Sequence, residues 1–200
     1  MDYLAIVLAY LVGAIPFGLL MGKMAGVDVR DSGSRNIGAT NVTRLAGKKF
    51  GVFTLLLDAA KGLLPMVIAQ AAGLASDTVL LCGAAAFAGH CYPVYLRFRG
   101  GKGVATALGI FLFLDLIAVA GGVLFFVIAV AVTGYVSLGS LLAAAMVSLL
   151  VWLRHGLGSY FYLALFIASL IWLKHHGNIG RLFRGEEKSF KKKKKSVAEE

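Results

Sequence analysis

What most constrains this chain is the spacing of its apolar runs. Residues about 3–22, 51–73 and 78–96, and then almost everything from 104 to 173, read as stretches that approach the roughly 20 residues a helix needs to cross a bilayer. Hydrocarbon cannot hydrogen-bond a backbone N–H or C=O, so each run must satisfy its own peptide groups as a helix. The chain is 59% hydrophobic and 15% charged, well away from the roughly 25% charged residues of a soluble domain. The fold class that follows is an all-α integral membrane protein. One polytopic domain over 1–188 is expected, followed by a flexible lysine-rich tail over 189–200.

The polar segments set the topology. The stretch 23–50 carries Lys23, Arg30, Arg35, Arg44, Lys48 and Lys49, whereas the connection from Gly73 to Asp77 has no basic residue. Basic loops stay in the cytoplasm. From 104 to 173 both ends lie inside, so the number of crossings is even. Gly121-Gly122, Thr133 to Ser137 and Arg154 to Ser159 are the break points, giving segments 104–120, 123–135, 138–153 and 159–173, two of them short for a bilayer. The total is seven transmembrane helices, with the N-terminus outside and the C-terminus cytoplasmic; five is the alternative if 104–153 crosses fewer times. The net charge of +10 sits between and after the apolar runs, which assigns it to topology and not to nucleic acid. Met1-Asp2-Tyr3 has no basic n-region, so the first run reads as a span and not as a cleaved signal. The two halves do not mirror one another as those of many transporters do.

Three polar stretches carry the chemistry. Ser32 to Arg44 is rich in hydroxyls, amides, glycine and arginine, a set that suits an anionic, oxygen-rich ligand. Gly100-Gly101-Lys102-Gly103 opens an apolar helix, and a helix N-terminus presents unpaired N–H groups and a positive dipole end to phosphate. The spacing is not that of a nucleotide P-loop, and a glycine turn with a lysine also fits topology alone. Arg97 and Arg99 beside it favour the anion site. His175 and Asn178 share a face at the end of the last run; they are either polar residues at a helix end or site residues. Asp58 and Lys61, three apart inside a span, either neutralise each other or reach a ligand. His90 is a core histidine or part of the site. Cys82 and Cys91 fit neither a zinc knuckle nor a redox pair. No H-E-x-x-H or G-x-S-x-G occurs, so no metal, no cofactor and no serine nucleophile are expected. The residues point to a phosphorylated, amphiphilic ligand at the inner leaflet. A phosphate-ester transporter and a non-catalytic assembly factor remain as readings of another class.

Taken together, Gly33 to Arg44, Gly100 to Thr106, and His175 to Leu182 with Gly185 and Glu187 resemble the three ordered motifs of the bacterial acyl-phosphate:glycerol-3-phosphate acyltransferases, the PlsY family. The resemblance implies transfer of a fatty acyl group from acyl phosphate to the 1-hydroxyl of sn-glycerol 3-phosphate. The products are 1-acyl-sn-glycerol 3-phosphate (lysophosphatidate) and phosphate, and the reaction is the first step of phospholipid synthesis. It implies a multi-pass protein of the bacterial inner membrane with its site on the cytoplasmic face, supplied by a soluble acyl-phosphate synthase and surrounded by membrane lipids, and compatible with a monomer. By motif, Ser34, Arg44, His175 and Asn178 are the catalytic residues. Asn36, Thr40, Asn41, Gly100, Gly101, Lys102 and Gly103 bind substrate or phosphate, and Glu187 is structural. Asp58 and Lys61 fit the family's Asp-x-x-Lys-Gly, His90 its Gly-His-x-x-Pro and Ser140 its Ser-Leu-x-Ser, which adds all four to the binding set. Gly134 stands where many members carry arginine, and Arg35 where glycine is common.

Overall fold

The computed structural model describes residues 1–190, and the lysine run Lys191 to Lys195 with the acidic end lies outside the described residues. Among these residues the secondary structure is helical: α1 Asp2–Ala14, α2 Phe17–Met24, α3 Ala39–Ala46, α4 Lys48–Ala71, α5 Ser76–Cys91, α6 Val104–Leu114, α7 Leu116–Thr133, α8 Val136–His155, α9 Ser159–Lys174 and α10 His176–Phe183. α1 and α2 form one apolar rod broken at Pro16, and the Lys61 ammonium donates to the Ile15 carbonyl at the break (2.8 Å). Among the described residues five rods are long and apolar enough to cross a membrane, and α6 and α9 are shorter apolar helices beside them. Leucines, valines and phenylalanines of α1, α4 and α7 stand exposed. On a soluble domain such a surface would aggregate; here it is the lipid-facing belt.

Hydrogen bonds sort the helix ends onto two faces. On one, Thr78 meets Asp2, Ser159 meets Asp77, and Arg154 and His155 meet Asp115. On the other, Ser137 donates to Glu187, the Phe190 N–H to the Gly134 carbonyl, and Lys174 to the Cys91 carbonyl. The three polar motifs lie on this second face.

Two expectations need correction. The helix break falls at Asp115, and Gly121 and Gly122 lie inside α7. Those glycines let α8 come close, since a Cβ on Gly122 would press on Val147. Asp115 starts α7 as its N-cap: one carboxylate oxygen accepts from the Ile117 and Ala118 N–H groups, the other from Arg154 and His155 at 2.8 Å each. Burial would push its pKa up, but the helix amide, Arg154 and His155 together hold it at about 2. The short element is therefore α6, 11 residues or about 16 Å, whereas α7 and α8 run 18 and 20 residues. Part of the first polar loop also folds, as the helix α3. A small cluster of Leu19, Val29, Ile37 and Val42 fastens that loop to α2.

α4 and α6 approach through small residues: a Cβ at Gly62 would overlap the Thr106 carbonyl, and one at Gly109 the Ala59 carbonyl. Gly109→Val is expected to destabilise the bundle by about 1–3 kcal/mol through overpacking. Gly158→Ala, extended and in open space, should change stability by under about 0.5 kcal/mol. Thermal unfolding in detergent measures both.

Candidate active site

Asn41 builds the first wall. It is 1% exposed, and its amide group donates to the carbonyls of Val29, Ser32 and Asn36 while its oxygen accepts the Ser34 N–H (2.9 Å). Its polar atoms are committed within the protein, so Asn41 shapes the loop. Arg35 sits in this loop at φ +55°, the left-handed region that favours glycine. The loop presents Ser34, Arg35, Asn36, Thr40 and Arg44 to a cavity of about 320 Å³.

The second wall is the glycine loop. Gly103, at φ +78°, precedes the first turn of α6, and a Cβ there would strike the Phe87 ring. Val104, Phe126 and Ser140 line both this cavity and the apolar one below it, so they mark one level. α7 continues seven residues past Phe126 to Thr133, about 10 Å. The Lys102 loop is therefore sunk below the end of α7. Burial pushes the Lys102 ammonium down to about 8, Arg181 and Arg44 push the same way, and Glu187 opposes them.

The third wall is α10 and the segment after it. Lys102 donates to the Asn178 side-chain oxygen. Asn178 donates to Glu187 (2.6 Å), which also accepts from Ser137 (2.8 Å) and Arg181 (2.7 Å). Burial would raise the Glu187 carboxyl, but these three donors outweigh it and hold it below its usual range. His175, 2% exposed, places Nδ1 2.7 Å from the Ile171 carbonyl. A carbonyl only accepts, so Nδ1 carries the proton and Nε2 is left as an acceptor. Burial, then the nearby Lys102 charge, lower its pKa to about 4, so the ring is neutral at pH 7. The Lys188 amine reaches the Gly33 carbonyl, and Arg44 donates to the Lys188 carbonyl, which ties the third wall to the first.

The cavity thus gathers Ser34, Asn36, Thr40, Asn41, Arg44, Lys102, Gly103, Ser140, His175, Asn178 and Glu187. Asp58 and His90 lie at its inner wall, each at most 3% exposed. Gly100 and Gly101, expected to bind phosphate, do not line the cavity; they pack against His90. The structure does not bring Lys61 to the cavity, because its ammonium is held by Asp58 and the Ile15 carbonyl. Arg97 and Arg99 are exposed and do not line it. Sequence reasoning missed Arg181 and Lys188, which do; Arg181 follows Asn178 by three residues, the spacing of one helix face. With Asp58 matched by Lys61 and Glu187 by Arg181, the charge the cavity offers comes from Arg35, Arg44, Lys102 and Lys188. Such a set of charges suits a phosphate group. Among the described residues no cluster of His, Cys, Asp and Glu could hold a metal ion.

A second cavity of about 360 Å³, shared at Leu55, Val104, Ala105, Phe126 and Ser140, is lined almost wholly by apolar side chains. On each of four helices it extends over a rise of seven or eight residues: Val104 to Phe111, Val119 to Val127, Ser140 to Val147 and Ala164 to Ile171. That is about 10 Å, room for roughly eight carbons of an extended chain at about 1.2 Å per bond.

The profile of the glycerol-3-phosphate acyltransferase family matches residues 3–185. Among curated relatives, the chain is 51% identical to a glycerol-3-phosphate acyltransferase of Desulfotalea psychrophila over 96% of its length and 100% of the relative's. It is 49% identical to that of Trichlorobacter lovleyi over 92% and 94%. Among solved structures it resembles PlsY, an integral membrane glycerol 3-phosphate acyltransferase, in a glycerol 3-phosphate form (TM-score 0.90, 39% identity, 95% and 96% coverage). A lysophosphatidic acid form of PlsY matches with TM-score 0.88 at 38% identity, covering 95% of both chains.

Since Lys102 loses its proton near pH 8, binding of a phosphate monoester is expected to weaken as pH rises through about 8. Lys102→Arg, charged throughout, should remove that dependence. Calorimetric titration across the range measures it.

Proposed function

The chain belongs to the glycerol-3-phosphate acyltransferase family, and we infer from that premise that it moves a fatty acyl group from an acyl phosphate to the 1-hydroxyl of sn-glycerol 3-phosphate. The products are 1-acyl-sn-glycerol 3-phosphate and inorganic phosphate, and the reaction opens phospholipid synthesis. The observation that carries this reading is the junction of the two cavities. A cationic chamber and an apolar one share a wall at Val104, Phe126 and Ser140, which suits a donor whose head is phosphate and whose tail is hydrocarbon. The apolar chamber holds the proximal carbons of that tail.

An acyl phosphate is a mixed anhydride with a good leaving group, so the protein has mainly to hold two anions together and orient the attacking hydroxyl. The glycerol oxygen forms a bond to the acyl carbonyl carbon. The bond from that carbon to the phosphoryl oxygen breaks, and phosphate leaves with the electron pair. The hydroxyl proton needs an acceptor, and we assign that part to Nε2 of the neutral His175, which lines the cavity. Lys102, the start of α6 and Arg44 oppose the negative charge of the phosphates and of the carbonyl oxygen in the transition state. In this assignment the glycine loop takes the phosphate of glycerol 3-phosphate, Ser34 and Asn178 direct the reacting groups, and Glu187 keeps Asn178 and Arg181 in place.

The same reading puts the enzyme in the bacterial inner membrane as seven spans, with the N-terminus outside and the cavity mouth in the cytoplasm. Lys23, Arg30, Lys48 and Lys49, at the helix ends and the loop on that side, support it through the positive-inside rule. A soluble acyl-phosphate synthase supplies the donor, and a monomer contains all the groups invoked.

Purified protein given glycerol 3-phosphate should release inorganic phosphate with acyl phosphate as donor and show no acyl transfer from acyl-CoA. Turnover with acyl-CoA alone would overturn the donor assignment.

A further inference from the structure

Behind the glycine loop lies a buried charged cluster that no step above uses. Asp58 and Lys61 of α4 pair at 2.8 Å, and His90 near the end of α5 brings Nδ1 to 3.6 Å from the same Asp58 oxygen. All three are at most 3% exposed. Lys61 makes Asp58 neutral as a pair and is itself held by the Ile15 carbonyl. The imidazole stands between this pair and the loop. The His90 carbonyl accepts the Gly101 N–H at 3.1 Å. A Cβ on Gly101 would overlap Nε2 of the ring, and one on Gly100 would overlap the His90 carbonyl. The path of the loop is therefore moulded on His90, and His90 faces Asp58 with its other nitrogen.

That last contact is incomplete. Among the described residues, His90 Nδ1 has no hydrogen-bond partner, and the Asp58 Oδ1 it faces is met by the Lys61 ammonium. A nitrogen buried this deeply carries a cost until it and the carboxylate pair. A movement of about 0.7 Å would bring them to ordinary hydrogen-bond distance, and contacts that are long in a free site tighten when substrate binds. Asp58 borders the inner wall of the chamber, where a carboxylate would repel a phosphate it touched directly, so its part is played on the loop and not on the ligand.

We propose that Asp58 is a positioning residue: through His90 it holds Gly100 and Gly101 at the height where the loop's N–H groups and Lys102 meet the phosphate of glycerol 3-phosphate. The identity of that phosphate rests on the acyltransferase reading. Asp58 and His90 then act on affinity for one substrate only, and Lys61 serves to offset the carboxylate's charge within the bundle.

Asp58→Asn preserves shape but can donate as well as accept, so it no longer selects the Nδ1–H form of His90. The KM for glycerol 3-phosphate should rise about tenfold or more, as when a group orienting a ligand-binding residue is removed. The kcat at saturating glycerol 3-phosphate and the KM for acyl phosphate should stay within about twofold of wild type. The double change Asp58→Asn, Lys61→Met leaves no unpaired ammonium in the bundle and should keep the raised KM. An unchanged KM in the single variant, or a wild-type KM in the double, overturns the proposal. So does a fall in kcat that tracks lost thermal stability, the pattern of a general structural role. Calorimetric binding of glycerol 3-phosphate, without donor, separates the two claims. If wild type binds it more tightly than Asp58→Asn yet transfers no acyl group to it from acyl phosphate or acyl-CoA, positioning stands and the acyltransferase reading falls. If wild type does not bind it, both fall.

Discussion

A helix that stops short inside a membrane exposes N–H groups that hydrocarbon cannot satisfy. α6 is such a helix, and the rest of the structure is arranged around its two ends. At the far end Asp115 caps the next helix and is held by Arg154 and His155. At the near end the glycine loop brings Lys102 and the first turn of α6 to the bottom of a polar chamber. Because the loop lies about 10 Å below the end of α7, phosphate bound there sits level with the top of the apolar cavity. The depth of the loop therefore decides that one substrate space has a charged half and a hydrocarbon half.

Such a chamber gathers cations that repel one another until an anion arrives. Glu187 limits the strain by taking Arg181, Ser137 and Asn178 at once, and Asn178 passes that order on to Lys102. Lys102 still titrates well below an ordinary lysine, because burial and the neighbouring arginines outweigh Glu187. Burial first, and then the Lys102 charge, keep His175 neutral, which leaves an acceptor beside the cationic chamber. Chemistry and binding thus draw on one electrostatic arrangement.

Much of this was legible in the sequence because membrane helices are self-contained. Apolar runs and basic loops located the rods and the face that bears the motifs, and Asp58 with Lys61 read as a pair from spacing alone. The break between α6 and α7 was misplaced because two glycines looked like a turn. The better signal was Asp115, an acid inside an apolar run and followed by a helix, the pattern of an N-cap. The cost of burying that acid is met by Arg154 and His155, some forty residues on, and a local reading does not see them. The same holds for Lys61 and the Ile15 carbonyl, and for the crossing of Lys188 over Gly33. Asn41 looked like a ligand-binding amide, yet its hydrogen bonds are spent on three carbonyls and an N–H of its own loop. Residue type shows which groups can meet an anion; long-range contacts decide which of them are free to.

The central claim is that the apolar cavity is the donor's chain site and is continuous with the phosphate chamber. Ala168, 8% exposed, lines only the apolar part, so Ala168→Phe fills that part and leaves the polar walls alone. The decisive measurement is the KM of this variant for a long-chain acyl phosphate set against a short-chain one. The account predicts a large rise for the long chain and little change for the short. Equal values, both as in wild type, would contradict it.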